Sequence, residues 1–100
     1  MTKEEKKVAD FLTKKKFKWK FQSSIYVIDI GGKLIPFSPD FYLIDLGIYI
    51  EVCGSKRNEH HNRIMEVYKK NNVPIIHVET YKDEWKNYLL KRIKEIQEKG

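Results

Sequence analysis

Two acidic residues, Asp40 and Glu51, stand in a largely apolar stretch that reads PDFYLIDLGIYIEVC from Pro39 onward. We expect them on adjacent strands joined by a short turn, where their carboxylates can face the same side of a sheet. Burying two acids among apolar neighbours is costly unless their charge is compensated. Mg²⁺ or Mn²⁺ is a natural compensator, because such ions prefer oxygen ligands and bridge carboxylates to phosphate.

Each acid also has a simpler interpretation when it is taken alone. Asp40 follows Ser38 and Pro39, so it can cap a turn. Glu51 can pair with a cation at the surface. For two isolated acids this simpler interpretation is favoured, so the elements around them have to decide.

The elements that must position the acids follow from the hydrophobic periodicity. Thr2 and Glu5 have the spacing of a capping box, which begins an amphipathic helix predicted over residues 3–16. A hairpin with its turn at Gly31-Gly32 follows, then a third strand that is apolar and therefore central. A helix over about residues 58–71, a fourth strand and a last helix complete the chain. The predicted strands are Ile25 to Ile30, Leu34 to Ile44, Ile48 to Cys53 and Pro74 to Val78.

The order helix, three strands, helix, strand, helix predicts an α/β fold. The helix between the third and fourth strands makes a right-handed βαβ unit, so we expect a mixed sheet: an antiparallel meander with one parallel neighbour. The chain has 100 residues, of which 41% are hydrophobic and 34% charged. This size and composition predict one domain over residues 1–100.

Composition also narrows the location. No apolar run approaches the roughly 20 residues that span a bilayer, and the charged start MTKEEKKVAD lacks the apolar part of a signal peptide. A single cysteine, Cys53, fits a reducing compartment. We therefore expect a cytoplasmic protein without a membrane partner.

The net charge of +6 and the pI near 9.4 favour a polyanionic partner. Phe17, Trp19 and Phe21 alternate with lysines and could stack bases, although packing into the core with the lysines in solvent is the favoured interpretation. We expect DNA as the partner. The residues predicted to contact it are Lys14, Lys15, Lys16, Lys18, Lys20, Lys56 and Arg57.

Pro39-Asp40, ten further residues and then Glu51-Val52-Cys53 resemble the motif of the PD-(D/E)xK phosphodiesterase superfamily. The nearest resemblance is to its small very-short-patch-repair-like and resolvase-like endonucleases. It covers nearly the whole chain, because the superfamily core also runs helix, three strands, helix, strand. It implies a restriction-endonuclease-like fold and a metal-dependent endonuclease.

The resemblance implies a role for each matching position. Asp40 and Glu51 would hold Mg²⁺ or Mn²⁺, with the backbone carbonyl of Val52 or Cys53 as a further oxygen ligand. Glu5 is similar to the extra acid that some members place on the first helix, and the capping box explains it equally well. Whether two copies pair to cut both strands stays open.

Cys53 departs from the motif, which usually has lysine there. A thiol has no positive charge and is mostly neutral at pH 7, so it cannot replace an ammonium group. The preferred interpretation is an active site with a relocated cation, for which the candidates are Lys56, Arg57, His60, His61 and Arg63. The alternatives are catalysis by the metal alone and an inactive nuclease fold that only binds nucleic acid. A buried cysteine and a core or sheet-edge His77 are favoured over a zinc site.

Overall fold

A computed structural model of the chain describes residues 1–55 and 59–99, with only the backbone of 59–61. In chain order, the elements of this part are α1 (Lys3–Lys14), β1 (Trp19–Phe21), β2 (Ile25–Ile28), β3 (Leu34–Phe37), β4 (Phe41–Leu43), β5 (Ile48–Cys53), α2 (Glu59–Lys70), β6 (Ile75–Glu79) and α3 (Trp85–Lys99). No helix in these ranges is long and apolar enough to cross a membrane.

The main sheet has four strands in the order β1, β4, β5, β6. Within it β4 pairs antiparallel with both β1 and β5, and β6 runs parallel to β5 after the crossover through α2. The predicted mixed α/β sheet and the central position of the strand that carries Glu51 are confirmed. The turn at 44–47 is also as predicted, with Gly47 at φ +68° and its amide donating to the Leu43 carbonyl at 2.9 Å.

The predicted assignment of the first strands is wrong in two respects. The meander begins with β1, and the hairpin of β2 and β3 forms a separate two-stranded sheet. The long strand predicted over 34–44 is broken before Asp40, because Pro39 has no amide hydrogen to donate to a ladder and holds its φ near −65°. The hairpin is thus an insertion between the first and second strands of the main sheet.

Helices α1 and α3 cover one face of the main sheet. Val8, Leu12 and Leu89 from the helices are buried against Phe41 and Ile50 from the strands. Phe17, Trp19 and Phe21 pack against this core while Lys18 and Lys20 are exposed, as the alternation in sequence favoured. Residues on β5 that alternate with Ile48 and Ile50 therefore point to the opposite face, where α2 lies.

The N-terminal turn of α1 lies against the end of β5. Gly54 follows β5 directly, and a Cβ atom there would meet Cγ of Glu4 at 2.9 Å. Such a distance is too short for carbon atoms in van der Waals contact, and the stem of Glu4 is tied to the helix. The close approach that glycine permits brings Glu5, the next residue of α1, to the end of the sheet where β5 finishes.

We expect Gly54→Ala to lower the free energy of unfolding by about 1–2 kcal/mol, since the added methyl group forces α1 away from β5. Urea unfolding at neutral pH measures this. Gly31→Ala is the matched control, because a Cβ atom there meets nothing closer than Oδ1 of Asp29 at 3.5 Å. Equal losses in the two variants would show that α1 does not depend on the contact at Gly54.

Candidate functional site

Asp40 and Glu51 lie side by side at the end of the sheet where β4 begins and β5 ends. Asp40 comes directly before β4 rather than within a strand, and the pairing of Phe41 with Ile50 sets it opposite Glu51. The Val52 amide donates to Oδ2 of Asp40 at 2.7 Å, and the Asp40 amide reaches Oε1 of Glu51 at 3.3 Å. These bonds continue the β4–β5 ladder through side chains where Pro39 ends the strand.

Glu5 joins the two acids from the first turn of α1. The predicted capping box is confirmed: the Thr2 amide donates to Oε1 of Glu5 at 2.7 Å, and the Glu5 amide donates to the Thr2 hydroxyl at 3.1 Å. The same Glu5 carboxyl also lies within hydrogen-bond reach of Asp40. Its two interpretations from sequence, cap and third acid, are thus compatible in one side chain.

The three carboxyl groups form a chain in which Asp40 is the middle member. We call Glu5, Asp40 and Glu51 the acidic triad. Asp40 is within hydrogen-bond reach of both neighbours, and two adjacent carboxyls can bond only when they share a proton. The triad therefore retains protons at a pH where exposed carboxyls have none.

Burial and mutual repulsion act unequally on the triad. Burial, together with the nearby charge of Asp40, raises the pKa of Glu51 to about 8. Burial is also the main cause that raises the pKa of Asp40. Burial acts in the same direction on Glu5, but hydrogen bonds from Thr2 and with Asp40 outweigh it and lower the Glu5 pKa. Glu5 is thus the ionised end and Glu51 the protonated end.

The described side chains do not neutralise the triad. The ion pairs in this part of the chain are Lys7–Glu4, Lys82–Glu79 and Arg92–Glu95, and none includes Asp40 or Glu51. The carboxyl oxygens accept hydrogen bonds from backbone amides and lie within hydrogen-bond reach of a neighbouring carboxyl. No group of three or more His, Cys, Asp or Glu residues within the described ranges has the arrangement of a metal site.

Two further side chains border Glu51, and the sequence did not single them out as site residues. His77 on β6 is the parallel partner of Glu51, so their side chains are neighbours on one face of the sheet. Tyr68 on α2 is buried with its ring centroid 6.2 Å from that of His77. Burial, followed by the charges of Glu51 and Asp40, raises the pKa of the Tyr68 phenol, which keeps its proton. The apolar periodicity that predicted both as core residues concealed their nearness to Glu51.

Cys53, which stands at the lysine position of the motif, is buried as predicted. Its backbone carbonyl accepts the Thr80 amide at 3.0 Å and the Thr80 hydroxyl at 3.4 Å. This carbonyl oxygen thus already accepts hydrogen bonds from Thr80.

Of the candidates for a relocated cation, only Arg63 has a described side chain. Arg63 is exposed on α2. Lys56 and Arg57 lie outside the described residues, and so do the side chains of His60 and His61. The structure brings Glu5, Asp40 and Glu51 together, and it places His77 next to Glu51.

A second feature of the molecule is an open groove of about 730 Å³ between α1 and α3, which we call the α1–α3 groove. Phe11 and Trp85 form its floor, edge to face with ring centroids 5.3 Å apart. The Lys86 ammonium lies 5.8 Å from the Phe11 centroid and 5.6 Å from that of Trp85. Its charged lining residues are Lys7, Asp10, Lys14, Lys15 and Lys86, four cations against one anion.

The structure divides the lysines that were predicted to contact DNA into two groups. Lys14 and Lys15 line the α1–α3 groove, where the Lys15 ammonium lies 6.0 Å from the Phe11 centroid. Lys16, Lys18 and Lys20 are exposed along and before β1, which is an edge strand of the main sheet. Lys7 and Lys86 join the first group although neither was among the predicted contacts. Lys86 lies on α3, which is distant from α1 along the chain.

The chain has no match among protein-family models, curated proteins or solved structures. The chemistry of the site therefore rests on its own residues. The three carboxyls of the acidic triad share a partly buried end of the sheet, and the phenol of Tyr68 and the imidazole of His77 border them. The basic α1–α3 groove runs along α1, the helix that carries Glu5.

We expect the free energy of unfolding, measured in a metal chelator, to fall as the pH rises from about 5 to about 8. The folded chain keeps the Glu51 proton up to a pH near 8, whereas the unfolded chain releases it near 4.5. The free energy of unfolding is therefore highest below the pKa that Glu51 has in the unfolded chain. It decreases by on the order of 3 kcal/mol as the pH rises to the pKa that Glu51 has in the folded chain.

Glu51→Gln should remove most of this slope and be more stable than the wild type at pH 8. The control is Glu66→Gln, which changes an exposed glutamate on α2 and should keep the wild-type profile. Urea denaturation at several pH values measures all three proteins. Parallel slopes in the wild type and Glu51→Gln would contradict the assignment of the retained proton to the triad.

Proposed function

We propose that this chain is a metal-dependent DNA endonuclease with a restriction-endonuclease-like core. In this proposal Asp40 and Glu51 hold Mg²⁺ or Mn²⁺ and Glu5 supports them. The observation that carries it is the acidic triad. Three carboxyls from separate parts of the chain meet at one end of the sheet, and their charge has no counter-ion among the described side chains.

The donor set suits a hard divalent cation. All three side chains offer carboxylate oxygens, which are the ligands that Mg²⁺ and Mn²⁺ prefer. A bound cation would release the shared protons, because it stabilises the ionised carboxylates that burial and repulsion disfavour. When bound, such an ion supplies a water of lowered pKa and stabilises negative charge that develops on a phosphate.

The order of elements supports the proposed core. Without the β2–β3 hairpin, the chain runs α1, β1, β4, β5, α2, β6, with an antiparallel meander and a parallel last strand. This is the order that the PD-(D/E)xK resemblance implies. Asp40 comes directly before the second strand of this order and Glu51 lies within the third, so the two acids are on neighbouring strands, which supports the proposal.

The chain's own residues position the acids and the substrate. The Val52 amide holds the Asp40 carboxyl, and Thr2 holds that of Glu5, so each enters the site from a fixed backbone. Tyr68 keeps its proton and can donate a hydrogen bond next to Glu51. A histidine ring can donate or accept a proton through its two nitrogens. Because His77 lies beside Glu51, we add it to Lys56, Arg57, His60, His61 and Arg63 as a replacement for the motif lysine.

A second candidate is a nuclease fold that binds nucleic acid without cleaving it. The observation in its favour is the buried Cys53 at the lysine position, with no ammonium or guanidinium group among the described ion pairs of the triad. Both candidates share the basic groove. They differ in metal-dependent cleavage.

The first test is cleavage of plasmid and branched DNA in Mg²⁺ or Mn²⁺. We expect Asp40→Asn and Glu51→Gln to cut at least about 10²-fold more slowly than the wild type, because each removes a ligand of the proposed metal. Asp45→Asn, which changes an exposed aspartate in the 44–47 turn, should cut at the wild-type rate. Cleavage that is absent from the wild type, or equal in all four proteins, would eliminate the endonuclease.

Thermal unfolding with and without Mn²⁺ separates the metal site from the activity. The wild type and Asp45→Asn should gain stability with the metal, and Asp40→Asn should not. A metal response without cleavage would leave the metal site standing and favour the non-cleaving protein. No response in any of the proteins would exclude both the metal site and the proposed mechanism.

The basic groove makes its own prediction for DNA affinity. We expect Lys14→Ala, Lys15→Ala and Lys86→Ala to weaken binding and to make the slope of log K against log salt less steep by about one unit for each lost phosphate contact. Fluorescence anisotropy in Ca²⁺ or chelator measures this without cleavage. Lys33→Ala and Lys94→Ala change exposed lysines outside the groove, and slopes as altered as those of the groove variants would refute the assignment.

A further inference from the structure

The outer face of the β2–β3 hairpin is apolar and uncovered. Tyr26, Ile28, Ile30 and Leu34 are 72%, 45%, 66% and 62% exposed. They make up half of the eight exposed large hydrophobic residues within the described part of the chain. Single exposed hydrophobics are ordinary at protein surfaces, but a cluster on one element marks an interaction site.

The pairing of the two strands collects Tyr26, Ile28 and Leu34 on one side, and Ile30 lies in the turn just after β2. Ile28 pairs with Leu34 and Tyr26 with Pro36, so their side chains form adjacent cross-strand pairs on the same face. The opposite face belongs to the core side, where Val27 is buried and Phe37 packs edge to face on Tyr68 at 5.4 Å. The hairpin is therefore a ribbon with two apolar faces, of which the chain covers one.

Side chains of α2 and the residue after it hold the hairpin in place. Asn71 accepts the Ile28 amide at 2.7 Å and donates to the Ile28 carbonyl at 2.8 Å, and the Lys70 ammonium donates to the Asp29 carbonyl at 3.0 Å. These bonds occupy the outer edge of β2 at its end. Pro36 removes a donor from β3. Both edges thus resist the addition of a strand, whereas the apolar face stays accessible.

We propose that this face, defined by Tyr26, Ile28, Ile30 and Leu34, joins two copies of the chain into a two-fold symmetric dimer. The chain carries a formal charge of +6, so the repulsion between two copies is weakest when they meet through a surface whose own side chains are uncharged. None of the four side chains is charged. A nucleic acid needs phosphate contacts that this face does not offer, which disfavours DNA as the occupant.

The size of the face suits a pair of identical copies. A two-fold axis buries the same patch on both copies and leaves none exposed, so assembly stops at two. The four side chains expose roughly 400–500 Å² between them, from sizes of about 150–250 Å² each. Two copies together remove roughly 900 Å², which with the surrounding rim reaches the lower range of specific protein interfaces, about 1,000–1,200 Å². The dimer should accordingly dissociate on dilution.

Sedimentation equilibrium across a range of concentrations tests the dimer. We expect the wild type to change from monomer to dimer, and Ile28→Lys and Leu34→Lys each to weaken dimerisation at least tenfold by placing a charge on the face. Ile44→Lys and Tyr88→Lys are matched controls, because these side chains are 45% and 43% exposed but lie outside the hairpin. Circular dichroism and thermal unfolding check that all variants keep the fold.

Salt separates this interface from a nucleic-acid contact. Dimerisation should strengthen as salt screens the repulsion between two positive copies, whereas DNA binding weakens with salt. A wild type that stays monomeric at every concentration and salt would overturn the proposal. So would unchanged dimerisation in Leu34→Lys, or equal losses in Leu34→Lys and Ile44→Lys. The inference does not depend on metal binding or cleavage, so it stands or falls separately from the proposed function.

Discussion

The constraint on which this structure depends is the partial burial of three acidic side chains at one end of the sheet. Glu5, Asp40 and Glu51 come from the start of a helix, the residue before one strand and the middle of another. Their repulsion would separate these elements, and instead the backbone amides of Thr2 and Val52 hold two of them in position. The fold accepts this arrangement only because protons, or a cation, reduce the net charge.

The two faces of the main sheet differ in polarity accordingly. The face toward α1 and α3 is continuously apolar, and its packing supplies most of the buried surface. The face toward α2 mixes Glu51 and His77 with the buried ring of Tyr68. One face thus provides the stability that the other requires, which is a common division in α/β proteins whose sites carry strained or charged groups.

The sequence predicted the parts that depend on local periodicity and capping. Thr2 and Glu5 predicted the capping box, and the apolar stretch around Glu51 predicted a central strand. The alternation of Phe17, Trp19 and Phe21 with lysines indicated which side faces the core.

What the sequence could not predict was long-range placement. His77 is one residue of a short apolar strand, and only the register of the parallel pair places it next to Glu51. Lys86 joins Lys14 and Lys15 because α3 packs on α1, and no local pattern records that contact. The separate hairpin was missed because alternating residues on both sides of Pro39 look like one strand.

The hairpin also affects how Asp40 is held. Its last residue, Phe37, is separated from Asp40 only by Ser38 and Pro39, and Pro39 is buried with a ring that restricts its backbone. A short connection of this kind leaves little conformational freedom between the end of β3 and the backbone of Asp40. Ser24 and Ser38, hydrogen-bonded through their hydroxyls at 2.9 Å, join the two chain ends at the base of the hairpin. The Asp40 carboxyl is therefore fixed from two sides, by the Val52 amide of β5 and by the short connection to the hairpin.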